Sequence, residues 1–206
     1  MMPLMHRAAA APLALGVGWA VTAAGQPWLV GVGCAALVRL ASVLPNLDDA
    51  HHKGRMNFPA AVVRGSARVG YKLRTALDEE RTDVSRGPVH TVEWCAVAGL
   101  ATVALMGSIP WFAPWAWWFG VSVFVGCASN VLMNWATPTG VPLCATYNWL
   151  VHRQVWKRHS LNLVTSDTGG SHFMLVPVLF FVSGLMMLGM VGWLRPIGAW
   201  MFGIGS

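Results

Sequence analysis

The chain has 206 residues, of which 55% are hydrophobic and only 11% charged, with a mean hydropathy of +0.53 and a net charge of +6. Soluble domains carry about 25% charged residues, so this composition argues against an ordinary water-soluble domain and points to a membrane protein. The positive balance is accounted for by cytoplasmic loops under the positive-inside rule, so no direct nucleic-acid binding is expected.

A spanning helix needs roughly 20 mostly apolar residues, and five segments approach that. The first, residues 8–24, follows a basic start, MMPLMHR. It resembles a signal peptide but reads as a first membrane helix, because further hydrophobic segments follow it. The second, 28–44, is joined to the first by the turn signal GQP. Both are short, and they form a hairpin that need not cross the bilayer fully. The others are 92–109, 113–136 and 173–194, and the aromatic run WFAPWAWW separates the third from the fourth as an interfacial belt. The expected fold is therefore all-α: a polytopic helical membrane protein with about five membrane segments in a single membrane domain spanning 1–206. Two loops, 45–89 and 137–172, interrupt it.

Charge sets the orientation. Arg7, the eight basic residues between Lys53 and Arg86, and Arg153, Lys157 and Arg158 all fall in the N-terminal segment or these two loops. Placing those regions in the cytoplasm leaves only Arg39 and Arg195 elsewhere and puts the N-terminus on the cytoplasmic side. Every Asp, Glu and His then lies at or near the cytoplasmic side. The basic, amphipathic stretch 56–83 is suited to lying along anionic headgroups. Cys34, Cys95 and Cys127 sit in apolar runs without a CxxC pair and read as small buried residues.

Four constellations carry chemistry. In LPNLDDAHHKGR, Asp48 and His52 are four apart and share a face if helix continues there. Carboxylate with imidazole suits zinc, manganese or iron; a polar loop capping a helix is the plainer reading. In SRGPVHTVEW, Gly87-Pro88 starts a helix, placing His90 and Glu93 on one face at the membrane boundary. Glu93 can ligate or act as general base, and Arg86 can bind an anion. In GCASNVLMNWATPTG, Ser129, Asn130 and Asn134 form a polar stripe that serves to hold helices together, and TPTG ends the helix. In RHSLNLVTSDTGGSHF, Asp167 and His172 precede the last apolar segment.

The order of these motifs resembles the LexA-binding, inner-membrane-associated hydrolases, also described as membrane-bound metal-dependent hydrolases, over about residues 6–172. An LPxxD-type motif follows a membrane hairpin, an RGPxH-type motif opens the next span, a polar pair precedes TPTG, and TGG precedes the last span. By position, His6 matches the family's early His, Asp48 its second LPDxD Asp, and Arg86 and His90 the Arg and second His of its HRG motif; Thr137 and Gly140 match its turn. Asn46, Ser85, Asn130 and Asn134 stand where the family carries Asp, His, His and Asp, and His172 stands where Glu is common. The resemblance implies a metal-dependent hydrolase working at the cytoplasmic face, with a divalent ion (zinc or manganese) held by Asp48, His90 and His6, and the spacing of His52 from Asp48 adds His52 to the expected ligands. Glu93 is then the expected general base, and Arg86 stabilises developing negative charge. A lipid or lipid-linked phosphate is the expected substrate. The alternative is a scaffold that has lost catalysis and binds membrane lipids or a protein partner. A transporter is disfavoured, since no titratable residue falls at the middle of a span.

Overall fold

The computed structural model describes residues 3–45, 88–138, 140–153 and 157–161, with side chains in the first helix from Ala10 onward. All regular structure among them is helical, apart from two isolated bridges pairing Thr91 with Leu143 and Val141 with His159. The helices are α1 (Pro3–Ala23), α2 (Trp28–Ala41), α3 (Val92–Gly107), α4 (Ala116–Trp135) and α5 (Ala145–His152). Short 3-10 turns, Pro88–His90 and Ala113–Trp115, lead into α3 and α4.

The sequence explains most boundaries. Gly25 turns the α1–α2 hairpin with φ of +79°, a conformation glycine adopts without steric cost. Thr91 caps α3 by accepting the Trp94 amide hydrogen on its hydroxyl at 3.2 Å. At the end of α4 the Thr137 hydroxyl turns back onto the Asn134 carbonyl at 2.6 Å, and Gly140 takes a φ of +59°. The helix therefore stops at TPTG.

Helix α4 is central and packs on α1, α2 and α3. Two apolar clusters fix the directions of the helices. Val21, Val30, Cys34 and Phe119 meet at one end, beside the α1–α2 turn and the start of α4. Ala41, Cys95, Cys127, Val131 and Val141 meet at the other, where α2 ends, α3 begins and α4 ends. Helices α1 and α2, α3 and α4, and α1 and α4 are thus antiparallel, whereas α2 and α4 run parallel. Three crossings depend on glycine, and at one of them a Cβ on Gly126 of α4 would press on the Val38 carbonyl of α2. A Cβ on Gly31 would lie 2.7 Å from the Gly18 carbonyl oxygen, and one on Gly120 would lie 2.7 Å from that of Gly99. Backbones approaching this closely are characteristic of helix pairs in membranes.

The five expected spans are a finer statement than the helices bear out. Among the described residues, one helical stretch, Ala113–Trp135, is long and apolar enough to cross a membrane, and 113–136 was the expected segment. Ala10–Ala23, Trp28–Ala41 and Val92–Gly107 are shorter apolar helices. At 1.5 Å per residue α2 reaches only about 21 Å and α3 about 24 Å, against a hydrocarbon core of about 30 Å. Helix α2 ends at Ala41, before the expected residue 44, with Ser42 at its C-cap and the Ser42 hydroxyl bonded back to the Arg39 carbonyl at 2.8 Å. The fifth segment, 173–194, lies outside the described residues.

Candidate functional site

The polar side chains gather at the end of the bundle marked by Ala41, Cys95 and Cys127. Arg39 is in the last turn of α2 and Glu93 in the first turn of α3, while Arg153, Lys157 and Arg158 follow α5. The connections at the opposite end, 24–27 and 108–115, contain no charged residue.

His90 lies in the 3-10 turn, not on the helix, and is 1% exposed. The expected shared helical face with Glu93 is therefore not formed: the Thr91 cap separates the two residues and starts α3 only at Val92. Glu93 reaches sideways to the loop after α4. Its Oε1 accepts the Thr146 amide hydrogen at 2.8 Å and the Cys144 thiol hydrogen at 3.0 Å. Its Oε2 is buried and takes no hydrogen bond among the described residues. Burial, and then the Glu93 carboxylate accepting its hydrogen, hold the Cys144 thiol above its ordinary pKa. Cys144 is thus a protonated donor, and it also caps α5 by accepting the Tyr147 amide hydrogen on sulfur at 3.4 Å.

The Asn stripe holds helices together, as its spacing predicts. The Asn134 side-chain amide donates to Asn130 Oδ1 at 2.8 Å, and that of Asn130 donates to the Ser42 carbonyl at 2.7 Å. Both Asn side chains are buried, and the ladder ties α4 to the end of α2. Cys34, Cys95 and Cys127 are fully buried free thiols.

A second polar centre forms around Asn148, a fully buried residue on α5. Its Nδ2 donates to the carbonyls of Pro142 and Lys157, each at 2.7 Å. Its Oδ1 must therefore act as acceptor for His159 Nε2, 2.7 Å away, so that nitrogen carries the proton. Lys157 Nζ donates to His152 Nδ1 at 3.2 Å, and the two imidazole rings lie 5.5 Å apart. Burial, followed by the charges of His152 and Lys157, holds the His159 imidazole below its ordinary pKa. Sequence reasoning missed this centre and the contact of Glu93 with Cys144 and Thr146. Its visible signal is the run HRQVWKRH, which reads from sequence only as loop charge.

Asp48, His52 and Arg86 lie outside the described residues, and His6 lies in α1 ahead of the first described side chain. Among the described residues, no group of three or more His, Cys, Asp or Glu side chains is placed to hold a metal ion. His90 and Glu93 offer two donors where a catalytic zinc takes three protein ligands. The buried, unpartnered Glu93 Oε2 is the one feature among them that suits a cation. A metal site here needs further ligands from His6, Asp48 or His52. Compared with known proteins, the chain matches no family model, no curated protein and no solved structure.

Proposed function

We propose that the chain is a multi-pass inner-membrane protein whose polar end faces the cytoplasm and carries a metal-dependent hydrolase site at headgroup depth. The membrane reading is supported by the distribution of side chains. Leu29, Leu40, Val97, Leu100, Leu105 and Trp117 are exposed on the helices, whereas Ser122, Ser129, Asn130 and Asn134 are buried between them. In water that arrangement leaves a large apolar surface uncovered. In lipid an exposed Leu costs nothing, and polar groups belong inside.

The hydrolase reading rests on the resemblance in motif order together with one observation, the buried Glu93 Oε2 close in sequence to the buried His90. In this reading Asp48, His52 and His6 complete the ligand set, Glu93 Oε2 receives a proton or a cation, and Arg86 meets negative charge on a phosphoryl or acyl oxygen. A divalent ion would supply polarisation of that oxygen and activation of water. The test is elemental analysis of detergent-purified protein beside His90→Ala and Asp48→Ala. A stoichiometric zinc or manganese ion, lost in both variants, is the expected result. Wild-type protein that stays metal-free after incubation with either ion contradicts it.

A second reading, a scaffold without catalysis, is favoured by Asn130 and Asn134. These residues stand where the resembled family has His and Asp, and their amides are spent on internal hydrogen bonds. It predicts that His90→Ala leaves biological activity intact.

A further inference from the structure

We infer that α5, with the basic residues Arg153 and Lys157, forms a seat for an anionic phospholipid, Arg153 and Lys157 meeting the headgroup phosphate and Tyr147, Leu150 and Val151, which share one helical face, lying against acyl chains. This rests on the membrane reading above but not on the hydrolase reading. The only buried residue of α5 is Asn148, while Tyr147, Trp149, Leu150 and Val151 are between 44% and 59% exposed. An eight-residue helix with that much uncovered apolar surface is not held by packing. It is held by Asn148 and by the Glu93–Thr146 contact, which leaves its apolar side chains for another surface.

The charge beside that surface has one sign. The run HRQVWKRH places three Arg or Lys and two His within eight residues, and no acidic residue lies between Glu93 and Asp167. The nearest described carboxylate, Glu93, already commits Oε1 to Thr146 and Cys144. Lys157 is exposed and donates to His152, whose ring lies beside that of His159, so the two imidazoles hold the Lys157 ammonium group at this corner. An aromatic and aliphatic strip next to concentrated positive charge, at the polar end of an apolar bundle, matches the layering of an anionic headgroup over its acyl chains. A soluble anion would account for the charge but not for the strip.

The test uses the full-length chain in a neutral detergent, titrated calorimetrically with short-chain phosphatidylglycerol, short-chain phosphatidylcholine and inorganic phosphate. Phosphatidylglycerol is expected to bind about tenfold or more tightly than phosphatidylcholine, because a basic residue near an anionic headgroup contributes about fivefold in affinity. Arg153→Gly and Lys157→Gln should each weaken phosphatidylglycerol binding about fivefold and leave phosphatidylcholine unchanged. Arg153 has a φ of +56°, so glycine at that position removes charge without straining the backbone. Equal affinity for the two lipids, unchanged binding in both variants, or displacement of phosphatidylglycerol by equimolar phosphate would overturn the inference. A chain that leaves the membrane without detergent would instead refute the membrane reading itself.

Discussion

Glu93 Oε1 accepts the amide hydrogen of Thr146 at 2.8 Å, joining the first turn of α3 to the first turn of α5 across 53 residues of chain. The same oxygen accepts the Cys144 thiol hydrogen, so one carboxylate caps the helix and keeps its neighbour's thiol protonated. Glu93→Ala should destabilise the protein by about 1–2 kcal/mol through loss of the cap, and Glu93→Gln, which keeps a carbonyl acceptor, by less. Removing the carboxylate also removes one cause of the raised Cys144 pKa. Maleimide at neutral pH should therefore label Cys144 faster in Glu93→Ala than in wild type, while the buried Cys34, Cys95 and Cys127 stay unlabelled. Labelling of Cys144 at an unchanged rate would show that the carboxylate has no hold on the thiol.

The Asn ladder makes an asymmetric prediction. Asn130→Ala leaves both the Asn134 amide and the Ser42 carbonyl without a partner, whereas Asn134→Ala leaves only Asn130 Oδ1. Asn130→Ala should cost about 1–3 kcal/mol, more than Asn134→Ala, and the double variant should resemble Asn130→Ala. Denaturant unfolding in detergent measures all three. Strict additivity would mean that the two amides act independently.

Glycine supplies the third prediction. Gly31→Ala and Gly120→Ala each push a methyl group against a backbone carbonyl that cannot move away easily, and should destabilise by about 1–3 kcal/mol. Gly33→Ala is the control, since its Cβ would meet only the Phe119 ring at an ordinary 3.7 Å. That variant should be neutral or slightly stabilising. A Gly33 variant as unstable as the other two would show that close approach to a carbonyl is not what sets Gly31 and Gly120 apart.

His159 predicts a pH dependence. Its pKa in the folded chain lies below the unfolded value of about 6.5. As pH falls below that value, the unfolded chain binds a proton that the folded chain resists, so stability falls with acidification until the folded pKa is passed. The groups around the ring are His152, Lys157, Tyr147 and Asn148. In thermal unfolding between pH 7.5 and 5, His159→Gln should lose less stability than wild type. An identical pH slope in the two proteins would remove His159 from the account.

The large helices were legible because their signals are local. GQP gave the hairpin turn, TPTG the end of α4, and the apolar run 113–136 its length. Asn130 and Asn134, four apart, announced their contact through helical geometry. Helix α5 is not legible, since eight residues running into a basic stretch carry no periodic pattern strong enough to separate them from loop. What holds α5 is non-local: a glutamate from α3 and a buried Asn that gathers two carbonyls and an imidazole. Spacing likewise put His90 and Glu93 on one helical face, but the Thr91 cap starts the helix between them.

The most direct test of the account is the side of the membrane from which the two ends of the bundle are reached. Trp111 is 83% exposed in the turn before α4, at the uncharged end, and Cys144 lies at the charged end. In intact cells a membrane-impermeant maleimide should label Trp111→Cys at once, and Cys144 only after the cells are opened. Labelling of both positions from the same side, or extraction of the protein into alkaline carbonate without detergent, would contradict a bundle that crosses the membrane with its polar end in the cytoplasm.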